Sequence, residues 1–404
     1  MLTYQQLTQI IWISLFAYLG VLIRLTLKLI SFLPSETLLA KLGISFFLPN
    51  IFGSFLMGML VPVKELFSPL PAVHVGLTTG FCGSCTTFAT WQLVAAAQIL
   101  NGRWIDSAVQ SLVTFCTSYM GLLSGRHLGT VLLNLLKPPV SNSSDNDNDT
   151  AAAMPLKPLP KTTADKSETA DGDAKIDEKN EANTSAPETD PPAPAVVVKK
   201  RLPILHTSAS SARTRPRCSS VHVPAFVPSS KRFLAQVSLL LLVTVGVWVA
   251  LFCDPAPYRT HWWVAIAFGP FGAVTRYLLS LHNSKYPDFP LFTFVANIAG
   301  TVLNIIILVV DNYFEGEQLI SAEREAQKML SVEKDVKFWL RFGISTGMMG
   351  SLSTVSTWVN EIWALSNRKV WLAYRYGITS LFVAQLLCFL IGGAWVLAGN
   401  QLDL

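Results

Sequence analysis

Two segments of this chain carry the same glycine and hydroxyl residues at the same spacing. One reads Gly-Leu-Thr-Thr-Gly-Phe-Cys-Gly-Ser-Cys-Thr-Thr-Phe-Ala-Thr-Trp, residues 76–91, and the other Gly-Ile-Ser-Thr-Gly-Met-Met-Gly-Ser-Leu-Ser-Thr-Val-Ser-Thr-Trp, residues 343–358. Eight of the sixteen aligned positions are identical, and the residues kept are those least suited to filling an apolar slot. At membrane depth they must face protein or an aqueous path. The chemistry they offer is coordination of an ion by hydroxyl groups and backbone carbonyls.

Both copies hold glycines three residues apart, Gly80 and Gly83 in the first and Gly347 and Gly350 in the second. Glycine is costly inside a helix and permits broken backbone. A break frees carbonyl groups at membrane depth, and a cation bound where the two copies cross would satisfy both sets. The alternative is close helix packing through small residues, which the residues alone favour.

Two further pairs of polar residues recur in apolar surroundings. Asn50 and Asn297 each lie one turn before a glycine. Their side-chain amides either form an interhelical hydrogen bond or belong to an ion path. Arg24 and Arg276 each end a Gly-x-x-x-Arg sequence. These arginines either reach the membrane interface or attract an anion into an aqueous vestibule.

The elements that carry these residues are membrane helices. Hydrophobic residues make up 51% of the chain and charged residues only 14%, so repeated apolar runs of roughly 20 residues predict helices that cross a bilayer. No cleaved signal peptide is evident. The sequence predicts nine spans, over residues 8–30, 44–63, 72–99, 106–134, 233–252, 262–280, 291–310, 342–365 and 374–398.

The repeats divide the chain into two four-helix units, residues 1–136 and 262–404. Between them lie residues 137–232, a polar stretch predicted to be a disordered cytosolic tether, and one extra helix, residues 233–252. Four spans return the chain to its starting side, so a fifth span inverts the second unit. The predicted fold is therefore an all-α membrane protein of 4+1+4 helices, an antiparallel pseudo-dimer.

Basic residues set the orientation. Lys231 and Arg232 precede the extra helix, and Arg368, Lys369 and Arg375 lie between the last two spans. The positive-inside rule then places the N-terminus in the cytosol and the C-terminus outside. On this topology the sequons at Asn142, Asn148 and Asn183 stay unmodified.

The third-span motif closely resembles that of the small fluoride channels, the CrcB or Fluc family. Asn-Ile-x-Gly on the second span and Gly-x-x-x-Arg on the first complete the pattern in both units. The resemblance implies a passive channel in the plasma membrane that exports cytosolic fluoride and confers fluoride resistance. It implies no enzymatic activity, no organic cofactor and no nucleic-acid partner. One chain acts alone, with the fluoride ion and the lipid bilayer as its partners.

The resemblance also implies two pores and a structural Na⁺ between the units. The Na⁺ ligands would be the backbone carbonyls of Gly83, Thr86, Gly350 and Ser353. One pore would combine Asn297, Thr354, Tyr376 and Ser380 of the second unit with Phe88 of the first. Asn50 and Thr87 would line the other, and Arg24 and Arg276 the vestibules.

The two pores are not equivalent in sequence. Val355 replaces the family phenylalanine in the second unit, and Trp91 and Trp358 replace the next one. The fourth span keeps Tyr-x-x-x-Ser only in the second unit, because the aligned first-unit positions are Val113 and Thr117. We therefore expect the pore with Asn50 and Thr87 to be degenerate.

Two other classes of protein are weighed against a channel. A secondary transporter of another small anion or organic solute also fits inverted repeats. The pore motifs hold no Asp or Glu, which argues against proton coupling, and Glu361 is expected to reach an interface. A redox enzyme on Cys82 and Cys85 is disfavoured because the second copy has Met349 and Leu352 instead.

Overall fold

The computed structural model describes residues 2–32, 46–136, 230–254, 257–318 and 336–399, with no side-chain detail for 257–259 and 314–318. Every regular element within these ranges is a helix, which confirms the prediction of an all-α chain. The predicted tether up to residue 229 lies outside the described residues, and so do its three sequons.

The first half contains α1 (Tyr4–Phe32), α2 (Phe47–Leu60), a 3₁₀ turn (Pro62–Phe67), α3, α4 (Phe88–Leu100) and α5 (Trp104–Leu136). α3 starts as Pro71–Val75, continues as a π-helix over Gly76–Cys82 and ends with the turn Gly83–Cys85. The predicted third span is thus two helices in series.

The second half repeats this series after an extra helix. It contains α6 (Ser230–Cys253), α7 (Pro257–Ser280), a 3₁₀ turn (Asn283–Lys285), α8 (Leu291–Gln318), α9, α10 (Val355–Arg368) and α11 (Val370–Leu397). α9 is a π-helix over Trp339–Met349 that ends with Gly350–Leu352. Each half therefore has the same interrupted third segment.

Five of the described helices are long and apolar enough to cross a membrane, and α2 is a shorter apolar helix. The five segments are Tyr4–Ser31, Ser230–Cys253, Thr260–Lys285, Leu291–Tyr313 and Val370–Leu397. The third segments do not reach that length as single helices because the break leaves α4 and α10 with only 13 and 14 residues. The chain is a helical membrane protein.

The extra helix α6 packs against α1 and α7 with few buried side chains, among them Val247 and Leu251. Its Thr244 hydroxyl lies 3.0 Å from the Tyr18 hydroxyl of α1. Most of its other large side chains are exposed, as expected of a helix that faces lipid.

The helix breaks lie at threonine and serine rather than at glycine. Thr86 and Thr87 are extended, with φ −95°, ψ 154° and φ −142°, ψ 119°. Ser353 and Thr354 repeat this, with φ −84°, ψ 150° and φ −151°, ψ 134°. Gly83, in contrast, is helical with φ −69°. The repeated glycines therefore do not lie at the breaks themselves, and a close approach of other groups, described below, explains them.

Candidate ion pathways at the paired helix breaks

Each break is held open by an asparagine from the preceding helix. The Thr87 N–H donates to Asn50 Oδ1 at 2.8 Å, and Asn50 Nδ2 donates to the Thr87 carbonyl at 3.3 Å. Asn297 makes the same two bonds to Thr354, at 2.8 and 3.2 Å. All four residues are buried. The amide has two N–H donors, so each asparagine keeps one for another acceptor.

Hydroxyl groups join the two breaks directly. Thr86 Oγ1 lies 3.1 Å from Thr354 Oγ1 and 3.2 Å from Ser356 Oγ, and it accepts from the N–H of Val355 at 3.2 Å. In return, Ser353 Oγ accepts from the Ala89 N–H at 3.1 Å. The two third segments therefore cross at their breaks, with polar groups of both halves in one buried cluster.

In the first half, the hydrogen bonds of the break release backbone carbonyls. In a continuous helix, the N–H groups of Thr87 and Thr90 would bond the carbonyls of Gly83 and Thr86. Instead, the Thr87 N–H bonds Asn50, and the Thr90 N–H bonds Thr87 Oγ1 at 3.3 Å. The two carbonyls named in the predicted Na⁺ site have thus lost their helical donors.

The second half repeats the same exchange. The Thr354 N–H bonds Asn297, and the Thr357 N–H bonds Thr354 Oγ1 at 3.3 Å. The carbonyls of Gly350 and Ser353, four residues earlier in each case, lose their helical donors. All four carbonyls predicted as Na⁺ ligands have therefore lost their helical donors, and buried carbonyls require a partner. The residues therefore fit a bound cation.

The two paired arginines are buried between the halves. Arg24 and Arg276 are only 4% and 3% exposed, so the interpretation that they reach the membrane interface is wrong. Arg24 Nη2 donates to the Thr346 carbonyl at 2.5 Å, and Arg276 Nη2 donates to the Thr79 carbonyl at 2.6 Å. Both bonds reach into the π-helical part of the other half.

The same arginines explain the repeated glycines. A Cβ atom at Gly83 would collide with the Arg276 guanidinium, and one at Gly350 would collide with that of Arg24. The absence of a side chain lets each cation approach the backbone just before a break. Glycine is needed here for space, since its backbone angles are ordinary helical ones.

Aromatic rings surround the crossing. Phe88, Trp91 and Trp358 are fully buried and meet edge to face, with ring centroids 5.4 to 6.0 Å apart. Phe115 of α5 adds an edge contact with Trp358 at 5.7 Å. Ring edges are positive, so such a group can lie beside an anion. Val355, which occupies the position of Phe88 in the second half, is buried next to this cluster.

Two possible pathways flank the crossing. α2 and α5 of the first half pack against α10 of the second, and α8 and α11 of the second half pack against α4 of the first. We call these two groups of helices pathway 1 and pathway 2. Asn50 belongs to pathway 1, whereas Asn297, Tyr376, Ser380 and Phe88 belong to pathway 2.

The structure corrects the sequence alignment of the fourth helices. Val113 and Thr117 of α5 are only partly buried, and Thr117 lies in a surface groove with Leu27 and Phe52. The buried face of α5 carries Gln110, Thr114 and Ser118. The same spacing on α11 pairs Tyr376 with Gln110 and Ser380 with Thr114. The sequence alignment of the two fourth helices was therefore shifted by three residues. Such a shift leaves the average hydropathy of the helix unchanged but selects residues on a different face.

Glu361 on α10 is half-buried, and its carboxylate bonds to α8 and α11, two helices of pathway 2. Its Oε2 accepts from the Tyr376 hydroxyl at 2.7 Å, and its Oε1 accepts from the Thr293 hydroxyl at 2.7 Å. Ser380 Oγ donates to the Tyr376 carbonyl at 2.7 Å. The hydroxyl groups of Tyr376 and Ser380 are therefore already bonded within the protein.

A basic cavity opens along pathway 2, between α4 and α8. Its volume is about 150 Å³, and it is lined by the buried Arg24, by the exposed Lys28 and Arg341, and by Asp311, whose carboxylate accepts from Arg341 Nη1 at 3.2 Å. Thr87 and Asn304 are among the other lining residues. Arg24 Nη1 has no hydrogen-bond partner in the described part of the chain. The expectation that Arg24 lines a vestibule therefore has a geometric basis.

In the corresponding Arg276, each of the three guanidinium nitrogens has a hydrogen-bond partner. Besides Thr79, its Nε donates to the Ser351 carbonyl at 3.1 Å and its Nη1 to Thr357 Oγ1 at 3.5 Å. Arg276 therefore acts in the structure as a bridge between segments.

Cys82 and Cys85 are fully buried free thiols. Cys85 Sγ lies 3.7 Å from the Pro49 carbonyl, as a weak donor. Within the described residues, no group of three or more His, Cys, Asp or Glu side chains is placed to hold a metal ion. The thiols therefore pack as small apolar groups.

The family model described as "CrcB-like protein, Camphor Resistance (CrcB)" matches residues 11–126 and 263–393. The chain belongs to the CrcB family. The two matches include both interrupted third segments and leave out α6.

Curated relatives carry fluoride-related names. "Fluoride export protein 1" of Candida albicans is 34% identical over 135 residues, which are 33% of this chain and 32% of the relative. "Fluoride export protein 1" of Neurospora crassa is 31% identical over 144 residues, 34% of this chain and 24% of the relative. The chain thus spans a third or less of these two relatives.

A bacterial relative matches over nearly its whole length. "Fluoride-specific ion channel FluC 2" of Staphylococcus saprophyticus is 32% identical over 117 residues, 28% of this chain and 94% of the relative. No solved structure matches the chain significantly.

Sequence reasoning missed Gln110, Thr114, Ser118 and the role of Glu361. Polar residues spaced four apart on the fourth span were the available signal for the first three.

Proposed function

We propose that this chain is a fluoride-selective passive channel that exports cytosolic fluoride and confers fluoride resistance. The observation that carries the proposal is the buried crossing of two helix breaks, in a family whose relatives are named fluoride export proteins and fluoride-specific channels. Hydroxyl, amide and ring-edge groups at this crossing can replace part of the water around a small anion. The chain acts as a channel and not as an enzyme.

The driving force needs no chemical energy source. Hydrogen fluoride crosses membranes uncharged and dissociates in a near-neutral cytosol, which traps the anion. An inside-negative potential favours exit of each fluoride ion by about 2.3 kcal/mol per 100 mV. A passive pore in the plasma membrane is therefore sufficient for export.

We propose pathway 2 as the main conduction path. It contains Asn297, Thr354, Tyr376, Ser380 and Phe88, and the basic cavity with Arg24 provides an anion vestibule at one end. Pathway 1 contains Asn50, and Arg276 would stand at its end, with a carbonyl or hydroxyl partner on each guanidinium nitrogen; Thr87, expected in this pathway, lines the cavity beside Arg24. Pathway 1 is therefore the minor one.

A structural Na⁺ at the crossing is part of the proposal. The carbonyls of Gly83, Thr86, Gly350 and Ser353 would hold it, because their helical donors bond side chains instead. The ion would satisfy carbonyl groups from both halves that have lost their helical donors, and would thereby join the two halves. Substitution of K⁺ or a larger organic cation for Na⁺ should then reduce the amount of folded protein.

The topology is proposed as nine spans in two inverted units within a single chain. α6 supplies the odd span that inverts the second unit, and basic residues near Lys231 and Arg368 face the cytosol. The N-terminus is then cytosolic and the C-terminus extracellular.

Purified chain in liposomes tests this function. We expect fluoride efflux that follows an imposed potential and exceeds chloride efflux at equal concentrations. Equal efflux of the two halides would refute fluoride selectivity.

The alternative is a secondary transporter of another small anion or organic solute, and the half-buried Glu361 favours it because a carboxylate can carry a proton across a pathway. The two mechanisms differ in their response to a pH gradient. Efflux from a channel continues at fixed potential without such a gradient, whereas proton-coupled transport stops, and Glu361→Gln would uncouple it.

A further inference from the structure

A phenylalanine from the loop before α8 lies at the end of pathway 2 that is away from the basic cavity. Asn304, Leu308 and Asp311, which line that cavity, belong to the later part of α8. Phe289 instead comes two residues before the helix begins. Its ring meets the buried Tyr376 ring edge to face, with centroids 5.2 Å apart and an angle of 89° between the planes. An aromatic ring therefore closes the side of Tyr376 next to the loop.

Two arginines hold the loop in this position. Arg368, the last residue of α10, donates from Nη1 to the Pro287 carbonyl at 2.6 Å and from Nη2 to Asp288 Oδ1 at 2.9 Å. Arg375 Nη2 on α11 donates to the Asp288 carbonyl at 3.1 Å, and its guanidinium carbon lies 5.8 Å from the centre of the Phe289 ring. Hydrogen bonds from a cation are stronger than neutral ones, and a cation over a ring adds attraction. The loop is thus bound at three consecutive residues.

Tyr376 is held on its other side as well. Its hydroxyl donates to Glu361 Oε2 at 2.7 Å, and the same carboxylate accepts from the Thr293 hydroxyl of α8. Phe289 in turn packs against Phe294 of α8, with ring centroids 5.4 Å apart. Because further contacts hold both rings, the space beside Tyr376 depends on the size of the side chain at position 289.

The next phenylalanine in the sequence has different surroundings. The Phe292 ring contacts the rings of His282 and Tyr286, at 5.3 and 6.1 Å between centroids. Phe292 also lines a surface groove with Thr275 and Leu278 of α7. The same residue type, three positions along the chain, therefore lies away from Tyr376.

We infer that Phe289 is a specificity-determining residue of pathway 2, which narrows the space beside Tyr376 so that fluoride passes and larger halides do not. This assignment rests on the proposed function. An apolar ring can exclude an ion by size without binding it, whereas a charged side chain would hold or repel fluoride. The width of a pore is one of the properties that set selectivity in channels. Arg368 and Arg375 act indirectly, as positioning residues that hold the loop.

The test is the ratio of fluoride to chloride efflux from liposomes, because a loss of folded protein lowers both rates together. Phe289→Ala should lower this ratio about tenfold through faster chloride efflux, which corresponds to about 1.4 kcal/mod in the barrier for chloride. Phe289→Leu restores much of the lost volume and should recover most of the wild-type ratio. Phe292→Ala removes the same ring from the neighbouring position and should leave the ratio unchanged.

Arg368→Gln tests the positioning of the loop from outside the pathway. Arg368 and Arg103 are both 52% exposed, and each forms an ion pair with an aspartate, so Arg103→Gln is the matched control. We expect Arg368→Gln to lower the fluoride-to-chloride ratio by less than Phe289→Ala does. We expect Arg103→Gln to have the wild-type ratio.

The outcomes separate this assignment from the proposed function. An unchanged ratio in folded Phe289→Ala protein, or equal losses for Phe289→Ala and Phe292→Ala, would overturn the role of Phe289 alone. Should Phe289→Ala fail to fold, equal ratios for Arg368→Gln and Arg103→Gln would overturn it. Absence of fluoride selectivity in the wild-type chain would overturn the proposed function and the role of Phe289 together.

Discussion

Replacing the two break-holding asparagines by aspartate separates the pathways. In both places the change keeps the Oδ1 acceptor of the threonine N–H, at 2.8 Å, and removes the Nδ2 donor to the threonine carbonyl, at 3.3 Å for Asn50 and 3.2 Å for Asn297. Loss of this bond leaves a buried carbonyl unsatisfied, which costs about 1–3 kcal/mol of folding stability, and burial of the new carboxylate adds a cost of several kcal/mol. Because the geometry matches, Asn50→Asp and Asn297→Asp should destabilise the protein equally.

Their effects on transport should differ. A fluoride ion that passes about 4 Å from a carboxylate, at an effective dielectric constant of about 20, is repelled by about 4 kcal/mol. That barrier corresponds to roughly a thousandfold slower passage. Asn297→Asp should therefore leave only the flux of pathway 1, whereas Asn50→Asp should remove only that minor share.

The assay is fluoride efflux from liposomes, recorded with a fluoride electrode. Each variant is first compared with wild type for its amount of monodisperse protein and its melting temperature. Those two measurements should agree between the variants, which makes each the structural control for the other. If both variants remain folded and lose efflux to the same extent, the division into a major and a minor pathway is incorrect.

Three further predictions concern the cell, the glycines and the rings. A strain that lacks this protein should become hypersensitive to fluoride with unchanged chloride tolerance, and equal sensitivity to both halides would contradict the assignment. Gly83→Val should lower the yield of folded protein, since overpacking against Arg276 costs about 1–3 kcal/mol. The control is Gly246→Val on α6, where a Cβ meets nothing within 4 Å. A normal yield and Na⁺ dependence for Gly83→Val would argue against the central ion site. Phe88→Ile should reduce efflux strongly and Val355→Ala much less, because Phe88 offers a ring edge and Val355 has no ring. Comparable losses of the two variants in growth rescue and liposome efflux would disprove that role.

The sequence alone determined the all-helical membrane class and pointed to the residues at the helix crossing. Apolar runs of membrane length predict helices from composition, and the duplicated motif marks the same interrupted segment in both halves. Asn50 and Asn297 were identifiable because a polar amide in an apolar helix is unusual and recurs at the same place. These signals are local in the chain, so no tertiary contact is needed to find them.

Only the tertiary structure decided where the breaks fall and which groups face each pathway. The extended residues are Thr86 and Thr87 because the Thr87 N–H is bonded by Asn50, which is 37 residues away in sequence. Gly83 gives space to Arg276 from the other half. Glu361 meets Tyr376 across two helices. Each of these features depends on a contact between distant segments, and packing sets how those segments are rotated relative to one another. Because a helix turns by about 100° per residue, a small error in sequence register points to a different helix face.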